Sequence, residues 1–207
     1  MSGGFLSIDG KYYKFGSFLA DVIFIGFIWL IFSLPIVTIG ATTTALYYVC
    51  TKKRTGHDVY IFLNFWKSFK ENFVKSTIIF LILAALGLFI WVNINLLGQL
   101  ELGALTWPIT IALYFVLFQI TVVVTNVFCI LSRFDMSIIA TMRSAFVLGN
   151  RHLFATISNW VTLAAIIFVL ALFPILLLLV GGVYIYFSSF IFVRLFRKNS
   201  EEFEKQV

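Results

Sequence analysis

Long apolar runs separated by short polar segments make up most of the chain. A helix needs about 20 apolar residues to cross roughly 30 Å of hydrocarbon. Runs of that length occupy residues 74–97, 105–131 and 154–180. We interpret three shorter runs as further crossings, at residues 17–34, 36–52 and 183–197. The pattern predicts an all-α integral membrane protein with about six transmembrane helices, in which residues 1–207 form a single membrane domain.

The weakest predicted crossing follows Pro35. Proline disfavours helix at the residue before it, so the first span should end at Leu34. A β-branched stretch then leads through Gly40 into a short returning helix. Non-helical backbone at membrane depth must be satisfied by protein or by a water-filled cavity. The turn should therefore lie at the outer surface or pack inside the bundle, and a re-entrant hairpin at Pro35 is an alternative to a full crossing.

Two amphipathic segments are predicted as interfacial helices on the cytoplasmic side. In residues 58–73, aromatic side chains recur at helical spacing on one face and lysines take the other, which is typical of a helix in the headgroup plane. Residues 135–152 show a similar stripe, with Asp135 as the predicted N-cap. The aromatic face of the segment 58–73 consists of Phe62, Phe65, Trp66, Phe69 and Phe73.

The last short span should follow a bend at Gly181 and Gly182.

The charge pattern fixes the orientation of these spans. The chain has 15 Lys and Arg residues and a net charge of +6, and the cations cluster in short segments between the apolar runs. Six crossings place every basic cluster on one side, whereas the loop that holds Glu101 has no cation. The positive-inside rule then puts both termini in the cytoplasm. Topology accounts for the positive charge, and we predict no nucleic-acid partner.

The residue types that carry catalysis are scarce. His57 and His152 are the only histidines, and neither has a second histidine or a cysteine at metal-ligand spacing. Cys50 and Cys129 fall near the cytoplasmic ends of predicted spans, where a disulfide is not expected. Neither a phosphate-binding loop nor a nucleophile elbow occurs. We predict that the protein is not an enzyme and has no catalytic, cofactor or metal site.

Asp21 is the one carboxylate placed inside an apolar span. An intramembrane charge is costly, which makes it a functional candidate. It also lies within about one turn of the predicted cytoplasmic interface, where it could pair with a cation. We favour a structural ion pair, with Lys14, Arg133 or Arg194 as the partner.

A cluster of threonines beside Pro35 and Gly40 is the second candidate site. Glycine and threonine there permit close backbone approach or an opened turn. The cluster could line a substrate path or dock a partner, and packing within the bundle is the ordinary explanation. Its members are Thr38, Thr42, Thr43 and Thr44.

The stretch Leu34-Pro35-Ile36-Val37-Thr38-Ile39-Gly40 and the residues that follow it to Tyr48 resemble the YesL-like family of uncharacterised bacterial membrane proteins. The resemblance continues through Phe65, Phe69 and the segment Lys70-Glu71-Asn72-Phe73, then through 134–152 and 184–198. Members are typical of Gram-positive bacteria and are encoded beside carbohydrate ABC importers. The resemblance implies a bacterial cell-membrane protein with a role tied to sugar uptake, and it supplies no catalytic residues.

Two functions follow as hypotheses. The first is an accessory membrane subunit that binds the permease subunits of a carbohydrate ABC importer, for assembly or regulation. Its basic interfacial helices would contact permease loops or anionic lipid headgroups. The alternative is a stand-alone carrier or channel for a small solute, although a single intramembrane charge argues against a coupled carrier. Candidate partner-binding or lining residues are Asp21, Pro35, Thr38, Gly40, Thr42, Thr43, Thr44, Phe65, Trp66, Phe69 and Asn72.

Overall fold

The computed structural model of the chain describes residues 11–56, 59–97, 103–172 and 179–198. The predicted all-α class is confirmed for these residues, which contain no strand. Short 3-10 turns at Ile36–Thr38 and Gly103–Leu105 precede α2 and α4. The helices are α1 (Lys11–Phe32), α2 (Ile39–Arg54), α3 (Ile61–Leu97), α4 (Thr106–Leu131), α5 (Ile138–Arg151), α6 (Leu153–Ala171) and α7 (Val180–Lys198).

Three of the described helices are long and apolar enough to cross a bilayer. They are α3, α4 and the Val180–Arg197 part of α7. The pair α5 and α6 passes the same test only when joined, and it is bent by 91° at the break between them. The described part of the chain thus holds three such helices, or four if the bent pair is one span. Residues 173–178 of the predicted span 154–180 and the loop with Glu101 lie outside the described residues, and the last residue of that predicted span, Val180, belongs to α7.

The predicted interfacial helix 58–73 is not a separate element where the structure describes it. Residues 61–73 and the predicted span 74–97 form one continuous helix, α3, which has 37 residues and is about 55 Å long at 1.5 Å per residue. The helix continues because Gly87 is its only glycine and it contains no proline, so nothing in its sequence breaks the hydrogen-bond ladder near residue 74. The prediction of two elements was wrong because the pattern changes from amphipathic to apolar without a helix-breaking residue.

The aromatic face of α3 packs against the end of α1. The ring of Phe32 lies 4.9 Å from that of Phe65 between centroids, and Phe65 is fully buried. Six full crossings would place these two residues on opposite sides of roughly 30 Å of hydrocarbon. The contact brings the end of α1 beside the start of α3, and both the full crossing by residues 36–52 and the re-entrant hairpin at Pro35 stay predictions.

The N-cap of α5 is Ser137 and not Asp135. The Ser137 hydroxyl accepts a hydrogen bond from the Ala140 amide, whereas Asp135 forms an ion pair with Lys75 of α3. The helix packs against α4, where Gly149 approaches Val122 so closely that an added Cβ would overlap it. Only a small residue allows this approach of α5 to α4. The interfacial placement of 135–152 stays a prediction.

Gly181 and Gly182 lie inside the first turn of α7 and do not form the predicted bend. A Cβ at Gly182 would lie 2.7 Å from the backbone nitrogen of Gly26 in α1. The ring of Trp29 occupies the corresponding space beside Gly181. The glycines therefore serve close helix packing, as small residues do between membrane helices.

The core of the molecule is built around α2. Most of its side chains are buried, including Leu46, Tyr47 and Val49, because α1, α3, α4 and α7 surround it. By contrast, α3 and α4 expose large apolar side chains such as Phe89 and Phe115. An apolar outer surface of this extent is typical of helices that face lipid.

Candidate functional site

The turn at Pro35 is held by two of the four threonines. The hydroxyls of Thr38 and Thr42 both donate to the Phe32 carbonyl oxygen, at 2.5 Å and 3.0 Å. Thr38 also approaches the Pro35 carbonyl oxygen, at 2.6 Å. The last carbonyls of a helix lack partners within it, so these hydroxyls satisfy the end of α1 where Pro35 stops it.

Gly40 and Thr44 connect the turn to the rest of the bundle. A Cβ at Gly40 would lie 2.6 Å from the Ser76 carbonyl oxygen of α3, so only glycine permits this approach of the two helices. The buried Thr44 hydroxyl donates to the Gly40 carbonyl oxygen at 2.9 Å. Gly40 and Thr44 therefore serve the packing of the helices, which is the ordinary explanation given above for the cluster.

Thr43 differs from its three neighbours. Its hydroxyl has no hydrogen-bond partner within the described parts of the chain, and its side chain lines a cavity between the helices. Adjacent residues on a helix point about 100° apart, so Thr42 faces the end of α1 while Thr43 faces the cavity. The threonine cluster is therefore two sites with different surroundings.

The turn presents an exposed apolar tip, formed by Leu34, Ile36 and Val37. The exposed fractions of Leu34 and Ile36 are 74% and 71%. The tip is nonetheless anchored, because Thr38 and Thr42 fix the backbone on its C-terminal side to Phe32. An ordered apolar surface of this kind can bind a complementary apolar surface without a large loss of conformational entropy.

The structure brings the aromatic stripe of α3 to the same place. Phe32 contacts Phe65, Trp66 and Phe69 with ring centroids 4.9 to 5.9 Å apart. Phe65 and Phe69 are buried by this contact, while Trp66 stays partly exposed with the Lys70 ammonium 4.9 Å from its ring centroid. Sequence reasoning missed Phe32, since an apolar residue at a span end carries no distinguishing signal.

Asn72, also proposed from the sequence, does not join this cluster through its amide. Its Nδ2 donates to the Ser68 carbonyl oxygen one turn earlier, at 3.1 Å. That bond is internal to α3. The amide of Asn72 is therefore used within its own helix.

Asp21 forms an ion pair with Lys53 at the end of α2. Both side chains keep some exposure to solvent. The structural ion pair favoured from the sequence is present, but its cation was not among the three that we named. Asp21 pairs with Lys53 because α1 and α2 run antiparallel, which brings the first half of α1 beside the end of α2.

The next residue, Arg54, ties α2 to α7 and was also missed. Its Nε donates to the Ser189 hydroxyl at 2.5 Å, and its Nη2 donates to the Tyr186 carbonyl oxygen at 2.6 Å. The guanidinium also lies over the ring of Phe190. Burial lowers the pKa of the Arg54 side chain, and the neighbouring Tyr186 and Cys50 oppose that shift.

A cavity of about 650 Å³ is enclosed by residues of α1, α2, α3, α4, α6 and α7. Its volume falls within the range of about 300–1,000 Å³ that is usual for small-molecule sites. No charged side chain lines it among the described residues. Its walls combine aromatic and aliphatic side chains with threonines, and they include Trp29, Thr43, Phe80, Phe118, Trp160 and Tyr184.

A chain of buried polar groups borders this cavity. The Tyr47 hydroxyl donates to the Ser188 hydroxyl at 3.0 Å, which in turn donates to Oδ1 of Asn159 at 2.6 Å. Asn159 is fully buried, and its Nδ2 has no partner in the described part of the molecule. Buried amides usually find such a partner, so this group is a polar feature that the fold leaves unsatisfied.

The described residues contain no group of three metal-ligating side chains. Cys50 and Cys129 are both buried free thiols, and His57 lies outside the described residues. His152 is the residue that follows α5. The tip and the cavity offer apolar and aromatic surface with a few neutral hydrogen-bonding groups.

A family model described as "Protein of unknown function, DUF624" matches residues 22–94. The match begins within α1 and ends near the end of α3, so it includes the Pro35 turn, α2 and the aromatic stripe. No curated protein and no solved structure matches the chain. The matched segment therefore contains every candidate residue named from the sequence except Asp21.

Proposed function

We propose that this protein is an accessory membrane subunit that binds the permease subunits of a carbohydrate ABC importer and supports their assembly or regulation. The proposal takes its partner from the resemblance of the 34–48 stretch to the YesL-like family. The match of residues 22–94 to an uncharacterised family is consistent with that resemblance. The structural feature that supports it is the anchored apolar tip at Leu34, Ile36 and Val37.

The tip has the properties of a surface for helix packing within or beside the membrane. Lipid tails are as apolar as protein side chains, so association there depends on close packing of preformed surfaces and not on the hydrophobic effect. Thr38 and Thr42 hold the tip in one conformation. The buried Phe65 packs against Phe32, the residue to which these threonines bond. A permease helix could pack on this surface without further ordering of the turn.

Exposed cations of α3 provide the second contact. Lys67 and Lys70 are exposed in the part of α3 whose aromatic residues pack on Phe32. In the proposed topology the chain passes several times through a bacterial cell membrane, and its termini and basic segments face the cytoplasm. Permease loops or anionic lipid headgroups would then meet these lysines.

A matched pair of variants tests the docking surface. Ile36 and Ile111 are both exposed isoleucines, at 71% and 66%, but Ile111 lies on α4 far along the chain from the tip. We would purify tagged Ile36→Asn and Ile111→Asn proteins from the native host in mild detergent and identify bound proteins by mass spectrometry. Sugar-importer permease subunits should be recovered with the wild type and with Ile111→Asn, and lost with Ile36→Asn.

Recovery of the wild-type protein alone would overturn the accessory role. Equal recovery of permease subunits with both variants would instead retain the partner and reject the tip as its binding surface. Expression and detergent solubility of the two variants provide the control for folding. The two outcomes therefore distinguish an error in the proposed partner from an error in the proposed binding surface.

The cavity favours a second candidate, a stand-alone carrier or channel for a small solute. Thr43 supplies a free hydroxyl to it, but a sugar has many hydroxyls and needs many polar partners. Uptake of labelled solutes into proteoliposomes of the purified protein tests this candidate. Uptake that is lost in Thr43→Val but kept in Thr42→Val would support it over the accessory role.

A further inference from the structure

The cavity lined by Trp29, Trp160 and Tyr184 opens to one side of the molecule. The lining residues that remain exposed all lie on two helices: Ala84 is on α3, and Phe118, Thr121 and Val124 are on α4. Both helices are long and apolar enough to cross a bilayer. The mouth of the cavity is thus framed by surfaces that face lipid.

The lining excludes charged ligands and suits hydrocarbon. No charged side chain of the described residues lines the cavity, and an ion without a partner is costly in such surroundings. Thr121 and Thr125 donate their hydroxyl protons to carbonyls within α4, and Trp160 donates to Thr125. The polar groups of this wall are therefore mostly satisfied by the protein itself.

An empty cavity of this size would forfeit the dispersion contacts of its aromatic walls. Apolar cavities also do not hold water readily, because a water molecule needs two to four polar partners. The molecules that surround α3 and α4 in a bilayer are lipids. An acyl chain entering through the mouth would restore the lost contacts while its headgroup stayed outside.

We propose that this cavity is a lipid site that takes one acyl chain of a membrane phospholipid from the side of the bilayer. Trp29 and Trp160 line the space that the chain would occupy. The partly buried Thr43 faces the same space with an unused hydroxyl. The site does not depend on the proposed partner, since the cavity is formed within this chain.

Brominated acyl chains quench tryptophan fluorescence on contact, which allows a direct test. A variant with Trp66→Phe, Trp91→Phe and Trp107→Phe would retain only the two tryptophans of the cavity. A second variant would retain only Trp91, which lies on the exposed surface of α3 and does not line the cavity. Both would be reconstituted in vesicles of phosphatidylcholine with an increasing fraction of its brominated form.

The expected result is saturable quenching of Trp29 and Trp160 at low bromolipid fractions, and quenching of Trp91 that rises with the bulk fraction. Ala84→Phe, which would fill the mouth, should abolish the saturable component. Ala85→Phe is the matched control, because the neighbouring alanine is exposed but does not line the cavity. It should leave the component unchanged.

Quenching in proportion to the bulk fraction, unaffected by Ala84→Phe, would overturn the proposal. Mass spectrometry of the protein purified from its native membrane identifies the occupant. A co-purifying phospholipid that Ala84→Phe removes would support the proposal. Co-purification of a neutral non-lipid molecule would contradict the proposal. Equal amounts of lipid with Ala84→Phe and Ala85→Phe would also contradict it.

Discussion

Asp21 in α1 and Lys53 near the end of α2 form an ion pair that closes the open end of the hairpin opposite the Pro35 turn. The two residues are 32 positions apart, and the turn that brings them together is fixed by the hydrogen bonds to Phe32. The hairpin is thus tied at both ends, by neutral hydrogen bonds at the turn and by opposite charges at the base.

Replacing Asp21 by Asn should lower the stability of the protein by about 1–2 kcal/mol, between the values for exposed and buried pairs, because both groups retain some solvent. Thermal unfolding in detergent would show a lower midpoint. Glu71→Gln is the control, since the exposed Lys67–Glu71 pair has a separation of 4.0 Å. An unchanged midpoint in Asp21→Asn would contradict a structural role and return Asp21 to the functional candidates.

Thr42→Val should destabilise the protein by about 1 kcal/mol, the usual net value of one hydrogen bond, because it removes a buried donor to the Phe32 carbonyl oxygen. Thr43→Val has the same change of shape but removes a hydroxyl without a partner in the described structure. Its unfolding midpoint should match that of the wild type. Equal loss in both variants would refute the division of the threonine cluster into a turn-holding residue and a cavity residue.

Gly182→Ala should weaken the packing of α1 on α7 by about 1–3 kcal/mol or more, because the added methyl group would meet the backbone of Gly26. Gly87→Ala in α3 provides the opposite case, since nothing lies within 4 Å of its added Cβ. Alanine there should be neutral or stabilising by up to about 1 kcal/mol, because glycine is a poor helix former. Melting curves that move in the same direction for both variants would show that the contact at Gly26 does not limit packing.

Phe65→Ala should cost about 3–5 kcal/mol, as expected for removal of a fully buried aromatic side chain. Leu63→Ala, on the exposed side of the same helix, should change stability by less than about 0.5 kcal/mol. Protease resistance and thermal unfolding of the two variants in the same detergent compare them. If Phe65 instead faced lipid, as the predicted interfacial helix requires, both substitutions would lower the stability only slightly.

The sequence by itself determined the class of the protein and most of its helices. Apolar length and helix-breaking residues act locally, so the run at 105–131 predicted α4 and Pro35 marked the end of the first span. Local signals also misled, because the change of pattern near residue 74 does not interrupt α3, and two glycines that suggested a bend lie within α7. The hydrophobic pattern indicates which surroundings a segment can face, but it does not determine where the helix that contains the segment ends.

Only the tertiary structure decided which residues meet. Lys53 as the partner of Asp21, Phe32 as the centre of the aromatic cluster and the separate roles of Thr42 and Thr43 depend on how α1, α2 and α3 lie against one another. The arrangement of the helices depends on close approach at Gly26, Gly40 and Gly182. The cavity is also a tertiary feature, because residues of six helices far apart in the chain line it.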